Sequence, residues 1–203
     1  MSDTTTNPAE SPMQAARDSF SGKGLTESQF QEAWAITAIL NTKIHATGSF
    51  RDTLTDYAHA YARDQRFDSL RGETILRDVY KGRFGETMNQ TRETLAASAE
   101  NLPETARERA LTCAMGISEL IQAPPTQPFY KAYDRAATTL ATEFKITQRA
   151  AKTLLTETYH EKVHRDLAAD CKEVERLYYK PAREAEQGRD AQAQTQTRSQ
   201  QRA

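Results

Sequence analysis

Apolar residues recur along this chain at steps of three and four from about residue 25 to residue 186, with charged and polar residues between them. Successive residues of an α-helix lie about 100° apart, so such steps line one face of a helix. The first stripe is Phe30, Trp34, Thr37, Leu40 and Ile44, with Ile36 beside it. Thr26-Glu27-Ser28-Gln29 precedes it as a capping box, and Leu25 and Phe30 stand at hydrophobic-staple positions. Gly48 separates it from a second predicted helix, capped by Ser49 with Asp52 at the third position. Its stripe is Phe50, Leu54, Tyr57, Ala58 and Tyr61. A third helix is predicted over 69–81 on Leu70, Leu76, Val79 and Tyr80, before a turn at Gly82-Arg83-Phe84-Gly85. A fourth runs to about Glu100.

Asn101-Leu102-Pro103-Glu104 reads as a helix start, with an Asn cap, an early proline and a glutamate at the third position. Ala106, Ala110, Met115, Ile117 and Ile121 follow on one stripe. Pro124, Pro125 and Pro128 mark the sharpest boundary. A break at 122–128 separates either two helical subdomains or only two helices. Beyond it, Phe129, Tyr133, Ala137, Leu140 and Phe144 share a face. No segment reads as a strand. The expected fold is all-α, a bundle of about six to eight helices with a long C-terminal helix.

Composition adds the ends. Residues 1–24 and the polar tail 187–203 are expected to be disordered, because they cannot bury enough apolar surface to offset chain entropy. The helical domain is then 25–186. A mean hydropathy of -0.78 and the lack of any apolar run near ~20 residues argue against a membrane span. The first residues, MSDTTTNPAESP, have neither a basic start nor an apolar core, so no secretory signal is expected. Two distant cysteines, Cys113 and Cys171, suggest reduced thiols and a cytoplasmic setting. A net charge of -1 gives no whole-protein attraction to nucleic acid or membrane.

Candidate chemistry is sparse. His160-Glu161-Lys162-Val163-His164 fits H-E-x-x-H, in which two histidines hold zinc and the glutamate activates water. That string supports one reading, a zinc-dependent hydrolase. Its flanks favour another. His160, His164, Leu167, Cys171, Val174 and Tyr178 follow alternating steps of four and three, the pattern of a helix packed along a second helix. Lys162 and Arg165 place positive charge beside the pair. A third ligand is missing. Asp170 points about 100° away on an unbroken helix, and Cys171 lies about 10 Å along the axis from His164. Glu184 or Glu186 would have to fold back after Pro181. The expectation is therefore no metal and no cofactor.

A second candidate lies at 137–154. Ala141 stands where a second helix would cross, and Phe144 and Ile146 bracket a turn. Ala151 and Leu154 would face inward, and Gln148, Arg149, Lys152 and Thr153 outward. This order resembles a helix-turn-helix, whose second helix enters the major groove. Arg and Gln read base edges there. Lys145 occupies the turn position that favours glycine. A third cluster, Arg71, Arg77, Lys81, Arg83 and Arg92, is interleaved with Glu73, Asp78 and Glu86, as on a solvated, salt-bridged face.

The sequence therefore points to a non-enzymatic cytoplasmic helical protein, a DNA-binding regulator or DNA-associated accessory factor using Gln148, Arg149, Lys152 and Thr153. The alternative is a helical interaction module, such as an adaptor, chaperone-like partner or inhibitor. It would bind a protein partner or a second copy through Leu167, Cys171, Val174 and Tyr178 on the 160–178 helix. The zinc hydrolase stands third.

Overall fold

A computed structural model describes residues 24–189, together with Met13 and Arg17. The expected disordered segments, 1–24 and 187–203, lie almost wholly outside the described residues; positions 187–189 are helical. The described residues form eight α-helices and no strand: α1 Glu27–Thr47, α2 Arg51–Gln65, α3 Ser69–Phe84, α4 Met88–Glu100, α5 Thr105–Gln122, α6 Phe129–Phe144, α7 Gln148–Val163 and α8 Leu167–Val174. A π segment, Glu175–Tyr179, continues α8, and the backbone stays helical to 189. The all-α fold with a long C-terminal helix is as expected.

The chain divides into two compact units between Ala97 and Ser98, within α4. In the first, α1, α2 and α3 pack around Phe30, Leu40, Ile44, Leu54, Tyr61, Leu76, Val79 and Tyr80. The capping box at Thr26 forms: Gln29 N–H donates to Thr26 Oγ1, and Thr26 N–H donates to Gln29 Oε1. Tyr61 OH donates to Gln29 O at 3.0 Å, tying α2 to the start of α1. Gly72 lets α3 lie close to α2, because a Cβ there would sit 2.8 Å from Ala58 O and 2.9 Å from Ala62 Cβ.

Several predicted boundaries move, each for a local reason. Ser49 does not cap α2; Phe50 is the N-cap without a side-chain bond, and Ser49 N–H donates to Thr47 Oγ1. α3 runs past Gly82 to Phe84 because Gly85, at φ 77, takes the left-handed closing position. Leu70 lies off the buried stripe of α3 and is 76 % exposed. α5 begins at Thr105 rather than beside Asn101. Leu102 precedes a proline, which disfavours helical backbone, and packs against the second core.

In the second unit, α5 packs against α6, α7 and α8. Ala110, Ala114, Ile117, Ile121, Ala132, Ala137, Leu140, Ile146, Ala151, Leu155, Leu167 and Cys171 form its core. Small residues at these helix faces allow close packing. Met115, placed on the buried stripe by the sequence, is 60 % exposed. The proline-rich stretch 124–128 lies inside this unit, joining two helices that pack on each other. No helix among the described residues is long and apolar enough to cross a membrane.

Candidate functional site

α6 and α7 are joined by three residues. Lys145 closes α6 in the left-handed conformation, φ 53 and ψ 44, and its N–H donates to Ala141 O. Ile146 is buried, and its N–H also donates to Ala141 O at 3.1 Å. Thr147 then caps α7, accepting from Ala150 N–H at 3.1 Å. The turn is tight because one side chain anchors it below and one hydroxyl restarts the helix above. Ala151 and Leu155 face the core, while Leu154 is half-buried. The inward pair therefore runs 151 and 155, one position beyond the predicted Leu154.

The four predicted outward residues do not share one environment. Lys152 Nζ lies 2.5 Å from Asp134 Oδ1 on α6 and 5.7 Å from the centre of the Tyr133 ring. Gln148 Nε2 donates to Thr138 Oγ1 at 3.1 Å and to Asp134 O at 3.4 Å. Tyr133 OH donates to Lys152 O at 2.9 Å and meets Thr156 Oγ1 at 2.9 Å. Gln148 and Lys152 thus fasten α7 to α6. Arg149 and Thr153 are exposed beside a shallow groove shared with Ala99, Leu102, Ala150 and Glu157. Arg149 has no ion pair among the described residues. Each pair is spaced by four and the two pairs are offset by one: positions 148 and 152 face α6, and positions 149 and 153 face outward.

The H-E-x-x-H string does not form the helical pair that its chemistry requires. His160 lies in the last turn of α7, but His164 is the C-cap at φ 58, with its N–H donating to His160 O at 2.9 Å. Glu161 Oε2 is held by Arg107 Nη1 at 2.5 Å, with Lys162 Nζ 3.7 Å from Oε1. Among the described residues, no group of three or more His, Cys, Asp or Glu could hold a metal ion.

The predicted seam is likewise not continuous. Asp166 restarts the helix, accepting from Ala169 N–H at 2.7 Å, so the chain turns between His164 and Leu167. Leu167 and Cys171 are 2 % and 1 % exposed, Val174 is half-buried against the same core, and Tyr178 is half-exposed. Asp170 turns inward at this joint. It accepts from Tyr159 OH at 2.7 Å and pairs with Arg165 at 2.6 Å. The Tyr159 phenol is pushed up to about 12, first by burial and then by its bond to Asp170. Burial also pushes the Cys171 thiol up to about 11 and the Cys113 thiol up, so neither is an activated nucleophile. The helix does not end at Pro181. Its missing N–H and ring crowding fall just after the π segment, where the turn is widened.

The basic cluster of the first unit resolves into separate contacts. Arg77 pairs with Glu73 at 2.7 Å, and Arg71 lies over Phe67. Arg83 lies over Trp34, whose backbone carbonyl accepts from its Nη1, and burial lowers its pKa.

Comparison with protein-family models, with curated proteins and with solved structures found no match to this chain.

Proposed function

We propose that this chain is a non-enzymatic helical protein that binds duplex DNA, as a regulator or a DNA-associated accessory factor, through α6, its three-residue turn and α7. One observation carries the reading. The turn at Lys145-Ile146-Thr147 sets α7 across α6 while leaving Arg149 and Thr153 exposed on its first two turns. The first turns of the second helix are where such units present side chains to base edges. Arg149 supplies the charge and the bidentate donor geometry, and Thr153 a hydroxyl and methyl. Gln148 and Lys152, which the sequence groups with them, serve instead to hold the two helices together. On this reading the duplex contact is made by these two residues and the backbone beside them.

The test is duplex binding at low salt by wild type, Arg149→Ala and Lys152→Ala. Arg149→Ala should weaken binding by about tenfold or more, since a bidentate base contact is worth ~1–3 kcal/mol. Lys152→Ala should bind nearly as wild type and lose a little stability. Equal binding by wild type and Arg149→Ala rejects the proposal.

A second reading, a helical interaction module, rests on Leu177 and Tyr178, which are half-exposed on neighbouring positions of the π segment. With Leu167 and Cys171 buried, this reading places the partner face at these two residues and not along the whole seam from 160 to 178. Light scattering across a concentration series tests self-association there; a monomer at all concentrations removes the second-copy form of this reading.

A further inference from the structure

The C-terminal helix leaves the second core at Tyr179. Val174 and Tyr179 pack against the buried cluster, but of residues 180–189 all except Ala182 are exposed. Nearby, α6 begins with Pro128 buried and Tyr130 60 % exposed. Between these elements lies an open groove of about 520 Å³, lined by Tyr130, Glu175, Tyr179, Lys180, Arg183 and Glu184 among others. Its size is in the ~300–1,000 Å³ range of clefts that hold small ligands. The two phenol rings come from separate elements. Neither Lys180 nor Arg183 has an ion pair among the described residues, although two carboxylates line the same groove. The π turn widens the helix here, with Lys180 N–H donating to Glu175 O. Such turns give up hydrogen-bond geometry and are frequent at functional sites.

We propose that this groove binds a nucleotide unit, an aromatic base carrying a phosphate, either as a free mononucleotide or within a single strand of nucleic acid. Tyr130 offers an exposed ring for base stacking, and Tyr179 a second ring on the groove wall. Arg183 provides a planar fork and Lys180 a point charge for the phosphate. Glu175 and Glu184 accept from base amino groups, as a carboxylate does from cytosine N4. They also offset part of the attraction of Lys180 and Arg183 for any phosphate, so the added base contacts favour a base with its phosphate over phosphate alone. None of these residues belongs to the exposed pair on α7, so this site stands or falls independently of duplex binding.

The full chain is titrated with a fluorescent oligodeoxycytidine, with deoxycytidine monophosphate and with inorganic phosphate, while duplex binding is scored separately. The oligonucleotide should bind, and Tyr130→Ala and Arg183→Ala should each weaken it by about tenfold. Both positions are exposed, and unchanged circular dichroism confirms intact variants; Arg183→Lys should recover part of the loss. Binding of the mononucleotide with the same losses supports the site with a free nucleotide as its source. Binding of the oligonucleotide alone supports it with a strand as the source. Three results overturn it: no binding of either probe, equal binding of inorganic phosphate with no effect of Tyr130→Ala, or loss of oligonucleotide binding in Arg149→Ala.

Discussion

Arg66, Lys145 and His164 each close a helix at positive φ, 58°, 53° and 58°, without being glycine. A side chain in that conformation costs about 1–2 kcal/mol, and glycine's extra freedom in the unfolded chain returns about 0.5–1. Lys145→Gly and His164→Gly should therefore each stabilise the protein by ~0.5–1 kcal/mol in urea unfolding. Destabilisation in both would show that the side chains, not the backbone, matter there. His164 also bears on the metal question. As a C-cap it stands outside the helix that would hold both histidines on one face, and Arg107 occupies Glu161. The purified protein should carry no stoichiometric zinc by elemental analysis; one equivalent held by both histidines would reinstate the hydrolase reading.

Tyrosine ionisation gives a pH test at the same scale. Tyr61 and Tyr159 are pushed up to about 12 from an ordinary 10.0, chiefly by burial. The fold favours their neutral form, so this contribution is complete below pH 10 and is lost as pH rises through about 12. Absorbance titration should show these two phenols titrating late, with Tyr80 also raised by burial. Replacing both with Phe should flatten the stability loss across that window, and an unchanged slope would contradict the assignment.

Among elements, α2 and α3 approach closely at Gly72. A methyl there meets backbone at Ala58 O, which cannot swing aside. Gly72→Ala gains about 1 kcal/mol of helix propensity but forces an overpacked contact costing ~1–3 kcal/mol. A net loss of up to ~2 kcal/mol is expected in urea unfolding, and a more stable variant would mean the helices separate freely. Period and capping made most elements readable in advance: the Thr26 box and the stripes through Leu40, Leu54 and Leu140 lie where expected. What spacing could not convey was interruption. The steps of four and three from His160 to Tyr178 continue numerically through a turn, and only Asp166, a good N-cap, marks the break. The α7 face failed differently. Gln148 and Lys152 look outward by composition, yet Asp134 and Thr138 on α6 supply partners that no single-helix periodicity reveals. The groove at Tyr130 escaped for the same reason, since its walls are about 50 residues apart in sequence.

At the scale of the whole molecule, each unit carries its own buried cluster. A segment with its own core folds alone in principle. Residues 98–203 expressed alone should retain strong helical dichroism and a cooperative thermal transition; a featureless melt would mean that this unit depends on the first. The central claim, that the α6–α7 unit holds Arg149 against a duplex, is tested most directly by measuring duplex affinity against salt for wild type and Arg149→Ala. Affinity should fall linearly on logarithmic axes. Losing one phosphate or groove contact should lower the whole line and reduce its slope by up to ~0.9. Superimposable lines for the two proteins, or no duplex binding at the lowest salt, would contradict it.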